Sequence, residues 1–230
     1  MAEGARTNAG TSSRRRRGLK RRPTKLEMML IGDRRTQLLD AAMRTIQCHG
    51  LENLTLAKVT EVISVTPAVV SFHFSDKQGL LAETLRHLVT GFDHQLQRTA
   101  DEIEDPRERL RCVVRMMLDE EIASERHVAV WYAFMGERGW RKLYKEVTGK
   151  HDRRFYDFTL QCFRERARQL GCSPSEPLID AAARGLIGML DGFWQEILFR
   201  DAGLDRPAAA RQCAAYLDLM DCAFRGAEKH

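Results

Sequence analysis

Apolar residues recur at helical spacing through most of the chain, and no convincing alternating, strand-type run appears. Leu38, Leu39, Ala42 and Ile46 fall on one face of a helix. Gly50 would end it, because glycine takes the left-handed backbone that closes a helix at no steric cost. Thr55 supplies the cap of a second helix with Leu56, Val59 and Ile63 inward. Thr66 before Pro67 places a cap and a first-turn proline at the head of a third. Ser75-Asp76-Lys77-Gln78 has capping-box spacing, and Leu81, Leu85, Leu88 and Phe92 follow at helical period. Asp105-Pro106-Arg107-Glu108 repeats the pattern, continued by Leu110, Val113, Val114, Met117 and Leu118. Further helices are expected over about 125–136, 140–170 with Gly171 as the stop, 175–201 and 206–225. The prediction is an all-α chain of about nine helices. Residues 1–32 read as a disordered basic arm, 33–80 as a three-helix domain and 81–227 as a larger helical domain, with a helix over about 76–100 shared between the two.

The second and third helices, at about 55–63 and 67–73, are joined by Ser64-Val65-Thr66. Two short helices with so short a turn have helix-turn-helix geometry, in which the second helix enters the major groove by its N-terminal end. That end carries Thr66, Pro67, Ala68, Ser71 and Phe72. Hydroxyls there suit phosphates and base edges, and Ala or Pro can pack on a thymine methyl. The same pattern also fits an ordinary three-helix subdomain.

Charge changes the picture more than composition does. The net charge is +5, but residues 1–25 hold nine Lys or Arg against the single acid Glu3, which leaves the remaining 205 residues at −3. A basic tail on a mildly acidic body suits a polyanion such as DNA, and equally a solvated leader. No apolar run spans a bilayer and no apolar segment follows the basic start, so a cytoplasmic protein without membrane contact is expected. The six cysteines form no C-x-x-C pair and read as buried thiols, with a redox sensor as the alternative. No phosphate loop, dinucleotide turn, G-x-S-x-G or H-E-x-x-H is present, so no enzyme, cofactor or metal is expected. His87 and His94 stand seven apart on one helix face without an acidic or cysteine ligand at obvious spacing.

All three tryptophans, Trp131, Trp140 and Trp194, lie in the second half, with Phe134, Tyr144, Phe193 and Phe199 near them in sequence. Trp131, Phe134 and Met135 share a helix face by the three/four rule, and Met189, Phe193 and Trp194 cluster on another. Aromatics converging between helices line a pocket in some bundles and fill the core in others.

Residues 34–90 resemble the N-terminal domain of the TetR family of repressors. The matching words are Gln37-Leu38-Leu39-Asp40-Ala41-Ala42, Gly50, Thr55-Leu56, Val65-Thr66 and His73-Phe74-Ser75-Asp76-Lys77-Gln78-Gly79-Leu80-Leu81. The resemblance implies that Lys77 and the start of its helix hold a DNA phosphate, which helix-end electrostatics make sensible. It also implies that Arg34 and Arg35 reach phosphate or the minor groove, with the Arg14–Arg17 run extending that arm. Two positions depart from the family: Ile63-Ser64 replaces the usual Ala-Gly before the turn, putting Ser64 in a left-handed position at some strain, and Ser71 stands where tyrosine is common. Behind the front domain, Ala129-Val130-Trp131-Tyr132-Ala133-Phe134 and Leu190-Asp191-Gly192-Phe193-Trp194 are similar to the choline-responsive BetI branch, with Met135 where that branch tends to carry another aromatic.

The resemblance thus implies a repressor released by a small-molecule inducer, choline or a related quaternary ammonium compound controlling betaine metabolism. The alternative is a regulator of an unrelated efflux or catabolic operon with a different hydrophobic ligand. Expected DNA contacts are Arg34, Arg35, Thr55, Thr66, Pro67, Ala68, Ser71, Phe72, His73 and Lys77. Expected ligand contacts are Trp131, Phe134, Met135, Trp140, Tyr144, Asp191 and Trp194, with Glu137 a further carboxylate to meet the cation. The small residues Ala181–Ala183, Gly185, Gly188, Ala208–Ala210, Ala214 and Ala215 are expected at a homodimer interface on a palindromic operator.

Overall fold

Nine α-helices make up most of residues 25–227, the part of the chain that the computed structural model describes: α1 (Lys25–His49), α2 (Leu56–Val62), α3 (Pro67–His73), α4 (Lys77–Glu102), α5 (Pro106–Leu118), α6 (Glu125–Gly136), α7 (Arg141–Gln169), α8 (Glu176–Phe199) and α9 (Arg206–Gly226). A 3-10 turn at Arg138–Trp140 leads into α7. No strand occurs among the described residues.

Local chemistry accounts for the helix ends. The Thr55 hydroxyl accepts from the Lys58 amide at 3.3 Å, and the Asp105 carboxylate accepts from the Glu108 amide at 2.8 Å ahead of Pro106. The cap of α4 is Asp76, whose Oδ1 accepts from the Gly79 amide at 2.7 Å. Ser75 therefore lies one residue outside the cap, and the capping-box spacing was one residue early. Gly50 and Gly171 close α1 and follow α7 at φ +78° and +73°, the region glycine enters freely. The first helix is longer than expected: it starts at Lys25, not near 33, because 25–31 are strong helix formers without an intervening proline. The rest of the basic arm, including Arg14–Arg17, lies outside the described residues.

Two apolar cores organise the molecule. One joins Phe92 and Leu96 of α4 to α5, α7, α8 and α9 around Leu110, Val113, Phe163, Leu186 and Phe224. The other joins Leu38, Leu39, Met43, Ile46, Leu54, Leu80, Leu81 and Leu85 of the front helices. Burying each such side chain stabilises the fold by roughly 1.5–3 kcal/mol. The front core does not stop at residue 80, because α6 packs on α1 and inserts Val130 and Phe134, both fully buried, among the front leucines. The two domains are therefore joined by α6 as well as by α4.

Polar clamps hold the rear bundle. Arg206 at the head of α9 donates to the carbonyls of Leu118 and Ala123, the second at 2.8 Å, satisfying acceptors left open where α5 ends. Asp221 of α9 accepts from Arg166 of α7 and Arg107 of α5. At the α8–α9 crossing, a Cβ on Gly185 would fall 2.2 Å from the Tyr216 hydroxyl, which itself donates to the Ala182 carbonyl at 2.9 Å. Ala182, Ala183 and Ala209 are buried here, and with Gly185 they serve the chain's own helix packing and leave the surface to Ala181, Gly188, Ala215 and Leu219.

Candidate functional site

The turn before α3 is built on one unusual backbone angle. Ser64 sits at φ +52°, the only non-glycine residue with positive φ among the described residues, as the Ile63-Ser64 departure predicts. A left-handed L-residue costs roughly 1–2 kcal/mol, and here it turns α3 sharply away from α2. Val70 is buried and anchors α3, while Thr66, Pro67, Ala68, Ser71 and Phe72 are all exposed. Phe72 is 72% exposed, a large apolar ring presented to solvent at the tip of the motif. Thr66 caps α3 by position only and makes no side-chain capping bond, so its hydroxyl is not spent on the helix. Thr55 is likewise exposed, although its hydroxyl caps α2.

The expected basic contacts divide. Arg34 is exposed and donates to the neighbouring Gln37 at 2.8 Å. Arg35 does not reach outward: it pairs with Glu83 of α4 and lies over the Phe74 ring at 5.4 Å, clamping α1 to α4. Burial pushes the Glu83 carboxyl up, but hydrogen bonds from Arg35 and Arg86 bring it below its ordinary range. Burial, then Arg35 and Arg34, hold the His73 imidazole low, so it brings no charge to a phosphate at neutral pH. Lys77 donates to the Glu52 carbonyl at 2.8 Å, fixing the α1–α2 loop against the start of α4 and leaving two of its three donors for another acceptor.

The rear bundle encloses a cavity of about 550 Å³ between α4, α5, α6, α7 and α8. Trp131 is its hub, meeting Trp194, Tyr144 and His151 edge-to-face at ring distances of 6.1, 5.9 and 5.7 Å. The Trp194 indole N–H donates to the Met117 carbonyl at 2.7 Å, so its polar edge is satisfied internally. Tyr132, Met135, Phe155 and Tyr156 complete the apolar lining, and Asp152 and Asp191 bring two carboxylates. Asp191 stands in the open mouth, where partial burial and then the charge of Asp152 raise its carboxyl above the ordinary aspartate range. Burial and then Asp152 also raise the Tyr144 phenol, which stays protonated. The one lining arginine, Arg184, is committed elsewhere: it donates to Asp180 at 2.8 Å and lies over Tyr156 at 4.9 Å. The cavity thus offers aromatic faces with an acidic balance.

Five of the seven expected ligand residues, Trp131, Met135, Tyr144, Asp191 and Trp194, line this cavity, and Phe134 and Trp140 do not. Phe134 continues the i, i+4 row of Val130 and turns into the front core, whereas Met135 continues the row of Trp131. Trp140 packs edge-on against Phe134 at 5.9 Å and follows it into that core. Glu137 caps the 3-10 turn through the Gly139 amide and is absent from the lining. The sequence reasoning missed Asp152, Tyr132, Phe155 and Tyr156. Tyr144, Thr148, Asp152, Phe155 and Tyr156 fall at three- and four-residue steps on α7, and that stripe was the available signal.

A smaller cavity of about 300 Å³ shares Phe92, Trp131 and Trp194 with the first and is otherwise lined by His87, His94, His127, Met43 and their neighbours. Among the described residues no group of three or more His, Cys, Asp or Glu is placed to hold a metal ion. All six cysteines are free: Cys162, Cys172 and Cys213 are buried, Cys112 is half-buried, and Cys48 and Cys222 are exposed, against the expectation that all would be buried. Burial pushes the Cys162 thiol up to about 12 and that of Cys213 up to about 11, far from thiolate chemistry.

Residues 38–84 match the family of bacterial regulatory proteins named tetR, and residues 106–221 match the C-terminal domain of BetI-type transcriptional repressors. The HTH-type transcriptional regulator BetI of Paraburkholderia xenovorans is 33% identical over 193 residues, covering 81% of this chain and 93% of the relative. Its counterpart in Burkholderia ambifaria is 31% identical over the same shares. The chain belongs to the TetR family.

Among solved structures, a TetR-like fold is shared with a transcriptional regulator from Pseudomonas aeruginosa PAO1 (TM-score 0.71, 21% identity, 85% of this chain and 94% of that one). It is shared as well with a regulator from Saccharomonospora viridis solved in complex with choline (TM-score 0.70, 20% identity, 81% and 96%). TetR-family proteins are transcriptional regulators and not enzymes, and the BetI-type rear domain makes this one a transcriptional repressor. No helix among the described residues is long and apolar enough to cross a membrane.

Proposed function

We propose that this TetR-family repressor binds a palindromic operator as a homodimer and releases it when a choline-like quaternary ammonium cation enters the 550 Å³ cavity. The observation that carries the ligand is the cavity's pairing of aromatic faces with Asp152 and Asp191. A quaternary nitrogen has no N–H to donate and is held by ring faces and charge, at about 0.5–2 kcal/mol per cation–π contact. The choline-bound regulator of similar fold supports the same class.

DNA contact falls to Thr66, Pro67, Ala68, Ser71 and Phe72 in the groove, with Arg34, Thr55 and Lys77 at the backbone. The exposed residues Ala181, Gly188, Ala215 and Leu219 on α8 and α9 supply a helix-pair face for the second copy, which would set two α3 helices about one duplex turn apart, on the order of 34–36 Å. Coupling follows from α6: a cation seated against Trp131 presses on a helix whose next row, Val130 and Phe134, is locked in the front core. The ligand acts only by its preference for the released conformer.

A gel-shift titration on the gene's own promoter tests this. Choline at millimolar concentration should dissociate the complex, and binding that stays unchanged would overturn the inducer. A second reading, a larger amphipathic ligand from an unrelated catabolic or efflux system, is favoured by one observation, the adjoining 300 Å³ cavity, and predicts release only by tailed cations.

A further inference from the structure

His151 of α7 lies against the cavity and is only 3% exposed, with its ring edge-on to Phe92 at 4.5 Å and near Trp131 at 5.7 Å. Its Nδ1 is 2.8 Å from Asp93 Oδ1 on α4, and the other Asp93 oxygen accepts from Arg154. A carboxylate only accepts, so in the neutral imidazole the proton stays on Nδ1 and the Nε2 lone pair is left as an acceptor. Nε2 has no hydrogen-bond partner among the described residues. A buried acceptor without a partner is unfavourable and is relieved by a ligand that brings a donor.

The ligand class follows from the rest of the lining. Asp152 and Asp191 draw a cation, and a quaternary ammonium group cannot itself donate. Asp152 already accepts from the Thr148 hydroxyl at 3.0 Å. A donor reaching Nε2 must then come from elsewhere in the same molecule, and a hydroxyl is the donor that adds no second charge. We propose that His151 is a specificity-determining residue whose Nε2 accepts the hydroxyl of a quaternary ammonium alcohol, with Asp93 as the positioning residue that fixes its tautomer. This rests on the cavity being a quaternary ammonium site. It adds that the hydroxyl end is read through a pair tied to α4, the helix that enters the front core.

Isothermal titration of the full-length protein with choline and with propyltrimethylammonium, in which a methyl replaces the hydroxyl, separates the two claims. Choline should bind about three- to tenfold more tightly, the range of one neutral hydrogen bond. His151→Phe keeps a ring against Phe92 and Trp131 and should bring the ratio to about one. Asp93→Asn admits either tautomer and should leave an intermediate ratio, a result that loss of packing alone would not give. Equal affinities in the unaltered protein, which require no variant to fold, would overturn the role of His151 and leave the cation site standing. An unchanged ratio in His151→Phe would overturn it too. Binding of neither cation would overturn both claims.

Discussion

Between Thr55 and Lys77 the candidate DNA contacts are near neighbours in the chain, whereas the cavity gathers residues from Phe92 on α4 to Gln195 on α8. The first region is shaped by caps, a proline and one strained turn, all short-range effects. The second exists only once five helices have packed. The contrast teaches where coupling must lie: in an element that belongs to both. Helix α6 is that element, since Val130 and Phe134 form one row in the front core while Trp131 and Met135 form the adjacent row at the cavity.

The sharpest way to break this picture is to truncate each row. Phe134→Ala should cost about 3–5 kcal/mol, the loss typical of a fully buried ring. Met135→Ala, at a side chain 43% exposed, should cost less than about 1 kcal/mol while altering cation affinity. Thermal denaturation of the two variants checks this, and equal losses would erase the distinction between the rows.

Next in size is the charge at the mouth. Asp191→Asn should weaken choline binding about 10- to 100-fold, since one charge pair a few ångströms apart is worth about 1–4 kcal/mol at intermediate to high dielectric. The same substitution should leave stability unchanged or slightly raised at neutral pH. A carboxyl whose folded pKa is raised favours folding most when protonated, and that contribution is lost as pH rises through the folded pKa. Cation affinity runs the other way, falling as pH drops toward Asp191's raised pKa, and so failing at a higher pH than an ordinary aspartate would dictate. Titration calorimetry over a pH series reads both signs.

Smaller effects belong to the DNA end. Lys77→Met should reduce the slope of log affinity against log salt by about 0.9, with little change in sequence preference, as expected for one lost phosphate contact. Ser64→Gly should stabilise the protein by about 1 kcal/mol by releasing the left-handed strain at φ +52°. If it does not, other contacts of the turn hold the angle without cost.

The helix ends were legible because their causes are local: Thr66-Pro67 placed the start of α3, and Ile63-Ser64 foretold a strained backbone angle. The limits were equally physical. Trp131, Phe134 and Met135 share a broad helix face, and spacing alone does not say which flank of that face meets which core. Asp152 escaped notice because its meaning depends on Asp191, some forty residues away on another helix. Arg35 looked like a DNA contact until Glu83 and Phe74 were seen to hold it.

The placement of the three indoles has an optical consequence. Trp131 and Trp194 border both cavities, while Trp140 is packed against the front core beside Phe134. Emission from the first pair should respond to occupancy, and emission from Trp140 to any shift of the helices that carry the operator-facing motif. Replacing one set with phenylalanine at a time would give the unlabelled protein two separate fluorescent channels, and the delay between them after rapid mixing would time the signal on its way from cavity to DNA.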